Sequence, residues 1–191
     1  MSIIDTLASR RTVYALTKEL PVPVQTVIDT VTRATELVPD AFNMHSQRVA
    51  VVTGARQDAL WDAIYEAFGG KVAREKIDGF KAAAGTVLYF THEPTVSGMQ
   101  EQFPRYAENF PVWAQQSNGM LQISVWGALR ELGVGANLQH YNPVIDEAVR
   151  GLLGLPADWR LVAQMPIGGI AAEPGEKPAE DVSARVRVYQ D

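Results

Sequence analysis

Cysteine is absent from the chain. That excludes disulfides, thiolate catalysis, and zinc or iron–sulfur centres held by thiolates. Histidine is scarce as well. His45, His92 and His140 stand far apart, without HExxH or comparable spacing, so no catalytic metal is expected. No run approaches the roughly 18 apolar residues needed to cross a bilayer. The start, MSIIDTLASRR, places its acid before its bases and has only a short apolar stretch, unlike a secretory signal. A cytoplasmic protein is expected. A formal charge of -5 argues against a non-specific nucleic-acid surface and leaves room for a small local anion site. Three common site signatures are missing: GxGxxG after a first strand, GxxxxGK[ST], and the GxSxG nucleophile turn.

What is present suits one globular domain spanning residues 1–191. The 47% apolar and 20% charged content is ordinary for a globular chain of this length. Helical periodicity marks residues 3–9, 24–38, 57–68, 112–132 and 144–153, with a further helical stretch over 71–83. Asn142-Pro143 reads as the N-cap and first position of the 144–153 helix. Strands are expected at 48–53, placed centrally, and at 84–91 beside it. A third covers 159–167, with Pro166 at its end or on an edge, and a fourth, half-exposed, covers 182–189. Gly168-Gly169 reads as the opening of a loop. The order is helix-rich without a regular βαβ rhythm, so a doubly wound dinucleotide fold is not expected.

The stretch 121–143 organises the rest. Its apolar helical pattern stops at Gly133 and opens into Gly133-Val134-Gly135-Ala136-Asn137, followed by Gln139-His140-Tyr141-Asn142. An apolar helix running into a Gly-x-Gly turn is a way to bring bare backbone up to a ligand. His140 and Tyr141 are open to two readings, as catalysts or as packing that seats the turn on the next helix. Gly119 and Gly127 within the long helix suggest close approach by another helix or by a flat ligand.

Three further segments carry possible chemistry. Arg10-Arg11-Thr12 pairs planar guanidinium forks with a short donor, a set able to surround a phosphate, although taken alone such a motif is more commonly a plain basic helix end. The loop 39–47, PDAFNMHSQ, concentrates Asp40, Asn43, His45, Ser46 and Gln47 directly before a strand, where amide and imidazole groups could read a heterocycle edge. Residues 95–110 expose Phe103, Tyr106 and Phe110 around Pro104, as either a helical connector or a lid and pocket wall.

Taken together, Arg10-Arg11-Thr12, Phe42-Asn43…Ser46…Arg48, Gly133 through Pro143 and Gly168-Gly169…Gly175-Glu176-Lys177-Pro178 resemble, in order and over essentially the whole chain, the nitroreductase family of FMN flavoproteins. The resemblance is strongest to its short branch, the nitroreductase-like proteins linked to fatty-acid signalling. It implies an α+β nitroreductase-like fold, with a central mostly antiparallel sheet flanked by helices and a long buried helix at the dimer core. It also implies a homodimer with FMN at the subunit interface and a C-terminal arm, 170–191, reaching the partner subunit. By this resemblance Arg10 and Thr12 hold the FMN phosphate with Arg11 close by. Asn43 and His45 face the flavin, and Gly135, Ala136 and Asn137 lie along its ring. Gly168 and Gly169 sit in the loop from which Lys177 returns to the phosphate. The implied activity is NAD(P)H-dependent reduction of flat nitroaromatic or quinone acceptors by a ping-pong mechanism, with no catalytic side chain required because the cofactor carries the chemistry. A flavin-binding sensor of low turnover is the alternative. A relative that has lost its cofactor and serves as an interaction module is a third. Two departures stand out: Asp40 occupies a place usually held by serine, and Ala179-Glu180 follow Lys177-Pro178 where an arginine is frequent.

Overall fold

The computed structural model describes residues 2–190. Helix α1 (Ile3–Ser9) starts in a capping box, Ser2 and Asp5 each satisfying the other's backbone N–H. After β1 (Leu16–Thr17) comes α2 (Val24–Leu37), whose threonine-rich, β-branched sequence is held by burying Val27 and Val31. Then follow β2 (Gln47–Thr53), α3 (Ala55–Ala67), α4 (Arg74–Lys81), β3 (Gly85–His92) and α5 (Glu93–Gln102). The long α6 (Asn109–Glu131), the short β4 (Gly135–Ala136), α7 (Asp146–Leu153) and β5 (Trp159–Ile170) complete the domain.

The sheet runs β1-β5-β3-β2, every pairing antiparallel, with β4 also against β5. Period-two alternation sends Val87 and Tyr89 of β3 into a core with α2 and α6, and Leu88 and Phe90 into a second core with α3, α4 and α7. A bulge in the β3–β5 pairing, where Tyr89 opposes Ala163 but Phe90 opposes Leu161, inserts Val162 as an extra residue. It turns Leu161 to the opposite core from Ala163. The fold is thus an α+β sheet with helices on both faces.

Several sequence expectations change. Residues 48–53 lie in β2, which is the outer strand of the sheet and not central; β5 and β3 hold the middle. Pro166 lies inside β5. Its carbonyl accepts from Asn137 N–H, so its missing donor faces the short β4 side and leaves the β3 ladder whole. Gly168 and Gly169 do not open a loop but belong to β5. A Cβ on them would stand 2.3 Å from the Thr17 carbonyl oxygen and 2.1 Å from that of Glu19. Residues 182–189 form no strand among the described residues, because within this chain no neighbour supplies the ladder; Val182 to Val186 make a turn. Asn142 does not cap the last helix. Its side-chain oxygen accepts from Gln164, the Asn142–Pro143 peptide is cis, and α7 begins after Ile145.

Helix α6 is buried toward the sheet through Leu121, Val125 and Leu129. On its far side Val112, Met120 and Ile123 are exposed, as are Ile3, Ile4 and Leu7 of α1. Gly127 lets α1 cross closely, since a Cβ there would meet Thr6 Cγ2 at 2.9 Å; around Gly119 the space is open. No described helix is long and apolar enough to cross a membrane.

Candidate functional site

Chain order and topology bring the start of the chain onto the glycine turn. Val13 N–H donates to the Ala136 carbonyl at 2.9 Å, Thr12 and Ala136 bridge in parallel, and Asn137 Nδ2 donates to the Val13 carbonyl at 2.9 Å. Asn137 is fully buried, with its oxygen accepting from Gln139 Nε2, so it ties Arg10-Arg11-Thr12 to the turn. Gly135 is required by packing: a Cβ would stand 2.8 Å from both Leu16 and Ile170 side chains. Ala136 is buried beside it.

Arg10 leaves this segment half-buried, its guanidinium carbon 4.3 Å above the Trp126 ring of α6. Burial, and then the charge of Arg11, pull its guanidinium below its ordinary pKa. Arg11 donates to the Gly175 carbonyl at 2.8 Å and so pins the C-terminal segment beside it, with exposed Lys177 two residues on. Among the described residues no carboxylate pairs with Arg10 or Arg11. Two adjacent cations, one disfavoured by burial and neither neutralised, make a site that gains from an anion. Two guanidinium groups and a hydroxyl on successive residues are donor types suited to a phosphate monoester.

The loop after Pro39 forms a second pole. Asp40 accepts from Ala41 N–H and from both donors of Ser46, so this acid is spent on the loop's own backbone. Phe42, Asn43 and His45 take left-handed φ values of 53°, 52° and 53° and face outward, while Met44, Ser46 and Gln47 are buried. Ser117 of α6 anchors the loop by donating to the Pro39 carbonyl and accepting from Gln47 Nε2. Phe42 is 50% exposed yet caps a set of rings. It lies 5.0 Å from Phe103, 5.3 Å from Phe110 and 5.8 Å from Trp113, nearly parallel to the last. Residues 95–110 are therefore ordered as α5 and a 3-10 turn, Pro104–Tyr106, behind this wall.

These two poles are anchored at different points of α6. They rest on Trp126 and Ser117, nine residues apart, hence about 13 Å along α6 and about two and a half turns around it. His140 is exposed, and Tyr141 packs edge-on against Trp61 and Phe68 while its N–H donates to Gln164, so Tyr141 seats the turn on the neighbouring core. Gly168 and Gly169 serve the β1–β5 approach and are buried. Trp126 carried no sequence signal linking it to Arg10, from which it is distant in the chain. Phe42 did carry one, as an aromatic residue in a polar loop before a strand.

Comparison with known proteins gives a consistent result. Residues 7–169 match the family described as Nitroreductase family. The putative nitroreductase HBN1 of Saccharomyces cerevisiae is 35% identical over 180 residues, 91% of each chain. The nitroreductase CinD of Lactococcus lactis, solved in complex with chloramphenicol, superposes with a TM-score of 0.94 at 45% identity, covering 99% of this chain and 100% of that one. Its complexes with nicotinic acid and with 4-nitrophenol give 0.93 at the same identity and coverage.

Proposed function

The chain belongs to the nitroreductase family of oxidoreductases, and from that premise we propose that it is an FMN-dependent, NAD(P)H-consuming reductase of nitroaromatic or quinone-type acceptors. The observation that carries this reading is the unneutralised Arg10–Arg11 pair, one member of which is disfavoured by burial, held with Thr12 on the glycine turn. Arg10, Arg11 and Thr12 hold the FMN phosphate, and Lys177 supplies a further cation from the segment that Arg11 pins. FMN, when bound, supplies the hydride chemistry, which is why the chain needs no nucleophile or acid–base pair.

The chain's own residues bind and orient. Asn43 and His45 offer polar groups to the ring system, and Phe42, backed by Phe103, Phe110 and Trp113, gives flat substrates an aromatic wall. Nicotinamide and acceptor use the same wall in turn, the ping-pong order, and the nitroaromatic and pyridine ligands of the CinD complexes suit such a site.

Because the poles lie on opposite sides of α6, the full site is completed by a second copy of the chain. The apolar exposure of α1 and α6 favours that homodimer. So do two grooves beside α6, one of about 710 Å³ next to Leu37 and Val38 and one of about 470 Å³ next to Ile3 and Leu7. Beyond Gly175, where Arg11 holds it, the C-terminal segment is exposed through the described residues and extends toward that copy.

Purified protein tests the reading. It is expected to be yellow, to bleach anaerobically with NADH or NADPH, and to regain its colour with 4-nitrophenol. Colour without bleaching favours a flavin-binding sensor; neither colour nor FMN uptake refutes the flavin assignment.

A further inference from the structure

The acid at position 40 is chemically out of place in an anion-binding flavoprotein, and its surroundings explain it. Both carboxylate oxygens are occupied by the loop that Asp40 begins. Oδ1 accepts from Ala41 N–H at 2.8 Å; Oδ2 accepts from Ser46 N–H at 2.7 Å and from Ser46 Oγ at 2.6 Å. The Asp40 carbonyl also accepts from Asn43 N–H at 2.9 Å. One side chain thus clasps the segment at its first and last residues, across six positions.

Inside that clasp stand three non-glycine residues in the left-handed region, Phe42, Asn43 and His45. A phenylalanine there is strained, and such backbone persists only where its surroundings over-determine it. Here the strained residues are the outward-facing ones, and the residues between and after them, Met44 and Ser46, are buried anchors. A relaxed loop would rotate Phe42 away from Trp113 and turn Asn43 and His45 off their present face. The remaining anchors hold the loop's two shoulders: Ser117 Oγ donates to the Pro39 carbonyl, Arg48 donates to the His45 and Gln47 carbonyls at 2.7 and 2.8 Å, and His92 N–H donates to the Ser46 carbonyl. Met44 N–H, donating to the Ala41 carbonyl at 3.1 Å, crosses Phe42 and Asn43, but of these bonds only the Asp40 carboxylate reaches past all three strained residues to Ser46.

We propose that Asp40 is a positioning residue for acceptor binding, its carboxylate clasp holding Phe42, Asn43 and His45 in the strained conformation that presents the aromatic wall. The catalytic part of this statement rests on the flavin reading given above; the conformational part does not.

The test compares the full-length wild type with Asp40→Asn and Ser46→Ala. Either orientation of an asparagine amide sets its NH2 against a backbone N–H, of Ala41 or of Ser46, so the clasp opens with almost no change of shape. Ser46→Ala removes one of the three bonds and leaves the others. With FMN-loaded protein, Asp40→Asn is expected to raise KM for 4-nitrophenol about tenfold with kcat changed less than about twofold, and Ser46→Ala to raise it about threefold. In parallel, on protein without added flavin, Asp40→Asn is expected to speed Ser46 amide exchange about tenfold and to reduce the near-ultraviolet circular dichroism of the Phe42–Trp113 group, with far-ultraviolet dichroism unchanged.

An unchanged KM in an active enzyme overturns the positioning role, as does a fall in kcat alone. If the wild type shows no flavin-dependent turnover, the flavin reading has failed, and the exchange and dichroism results decide the clasp by themselves: unchanged values overturn it. Should Asp40→Asn not fold, Ser46→Ala carries the same comparison at its smaller expected size.

Discussion

Arg10 sits with its guanidinium carbon 4.3 Å above the ring of Trp126, and among the described residues no carboxylate neutralises it. A hydrogen bond to a charged group contributes about 1.5–3 kcal/mol. Replacing Arg10 by Ala is therefore expected to weaken FMN binding roughly 10- to 150-fold. Arg10→Lys, which keeps the charge and loses the fork, falls between. Trp126→Leu removes a cation–π contact of about 0.5–1 kcal/mol and should weaken binding roughly two- to fivefold. Fluorescence titration of the apoprotein measures all three.

Two glycine substitutions separate close approach from mere helix content. Gly169→Ala drives a Cβ onto the Glu19 carbonyl and Thr17 Oγ1 at 2.1 and 2.6 Å, forcing β1 away from β5. Overpacking of this kind costs about 1–3 kcal/mol, so the thermal midpoint should fall by about 2–12 °C. Gly151 is an exposed residue of α7 with no atom near a new Cβ, and Gly151→Ala should raise the midpoint by about 2–4 °C. Differential scanning calorimetry distinguishes the two signs.

Asp146 gives a pH signature. Burial, only partly offset by Arg150, raises its carboxyl above the ordinary value, and one oxygen is buried without a partner. A raised folded pKa means that folding favours the protonated acid. Its contribution is fully present below the unfolded carboxylate pKa and is lost as pH rises through the folded one. Asp146→Asn should therefore stabilise the protein at pH 7, and the gain should vanish as pH falls through the carboxylate range. Urea midpoints measured from pH 3 to 8 check the sign.

The exposed apolar face of α1 and α6 predicts the consequence of a buried charge. On the proposed homodimer, Ile123→Glu combined with Ile4→Glu is expected to leave a monomer by light scattering, and to lower FMN affinity in parallel, since the proposed site draws on both copies. A dimer that survives both changes places the interface elsewhere.

Much of this architecture was legible in the sequence because period and burial go together. The 3.6-residue repeats gave α2, α3 and α6, and the continuous apolar run at 84–91 gave β3. What periodicity does not encode is neighbourhood. Whether residues 48–53 lie at the centre or the rim depends on strand order, and whether Pro166 is tolerated depends on which side its missing N–H faces. Gly168-Gly169 looks like loop punctuation until β1 is laid against it. The alternation at 182–189 names a strand without supplying a ladder. At the site, Arg10-Arg11-Thr12 and the glycine turn were readable as motifs, but their junction through Asn137 is long-range. So is the Trp126 support beneath Arg10. An acid beside an anion site is expected to point away or to cap a backbone N–H, as Asp40 does at Ala41, but nothing in the spacing indicates its clasp on Ser46 six residues on.

The central claim is that Arg10, Arg11 and Thr12 form a phosphate clamp for FMN. Equilibrium binding of FMN and of riboflavin, which lacks the phosphate, tests it most directly. The wild type should bind FMN at least about 100-fold more tightly than riboflavin, and Arg10→Ala should erase most of that difference. Equal affinities for the two flavins in the wild type would contradict the clamp.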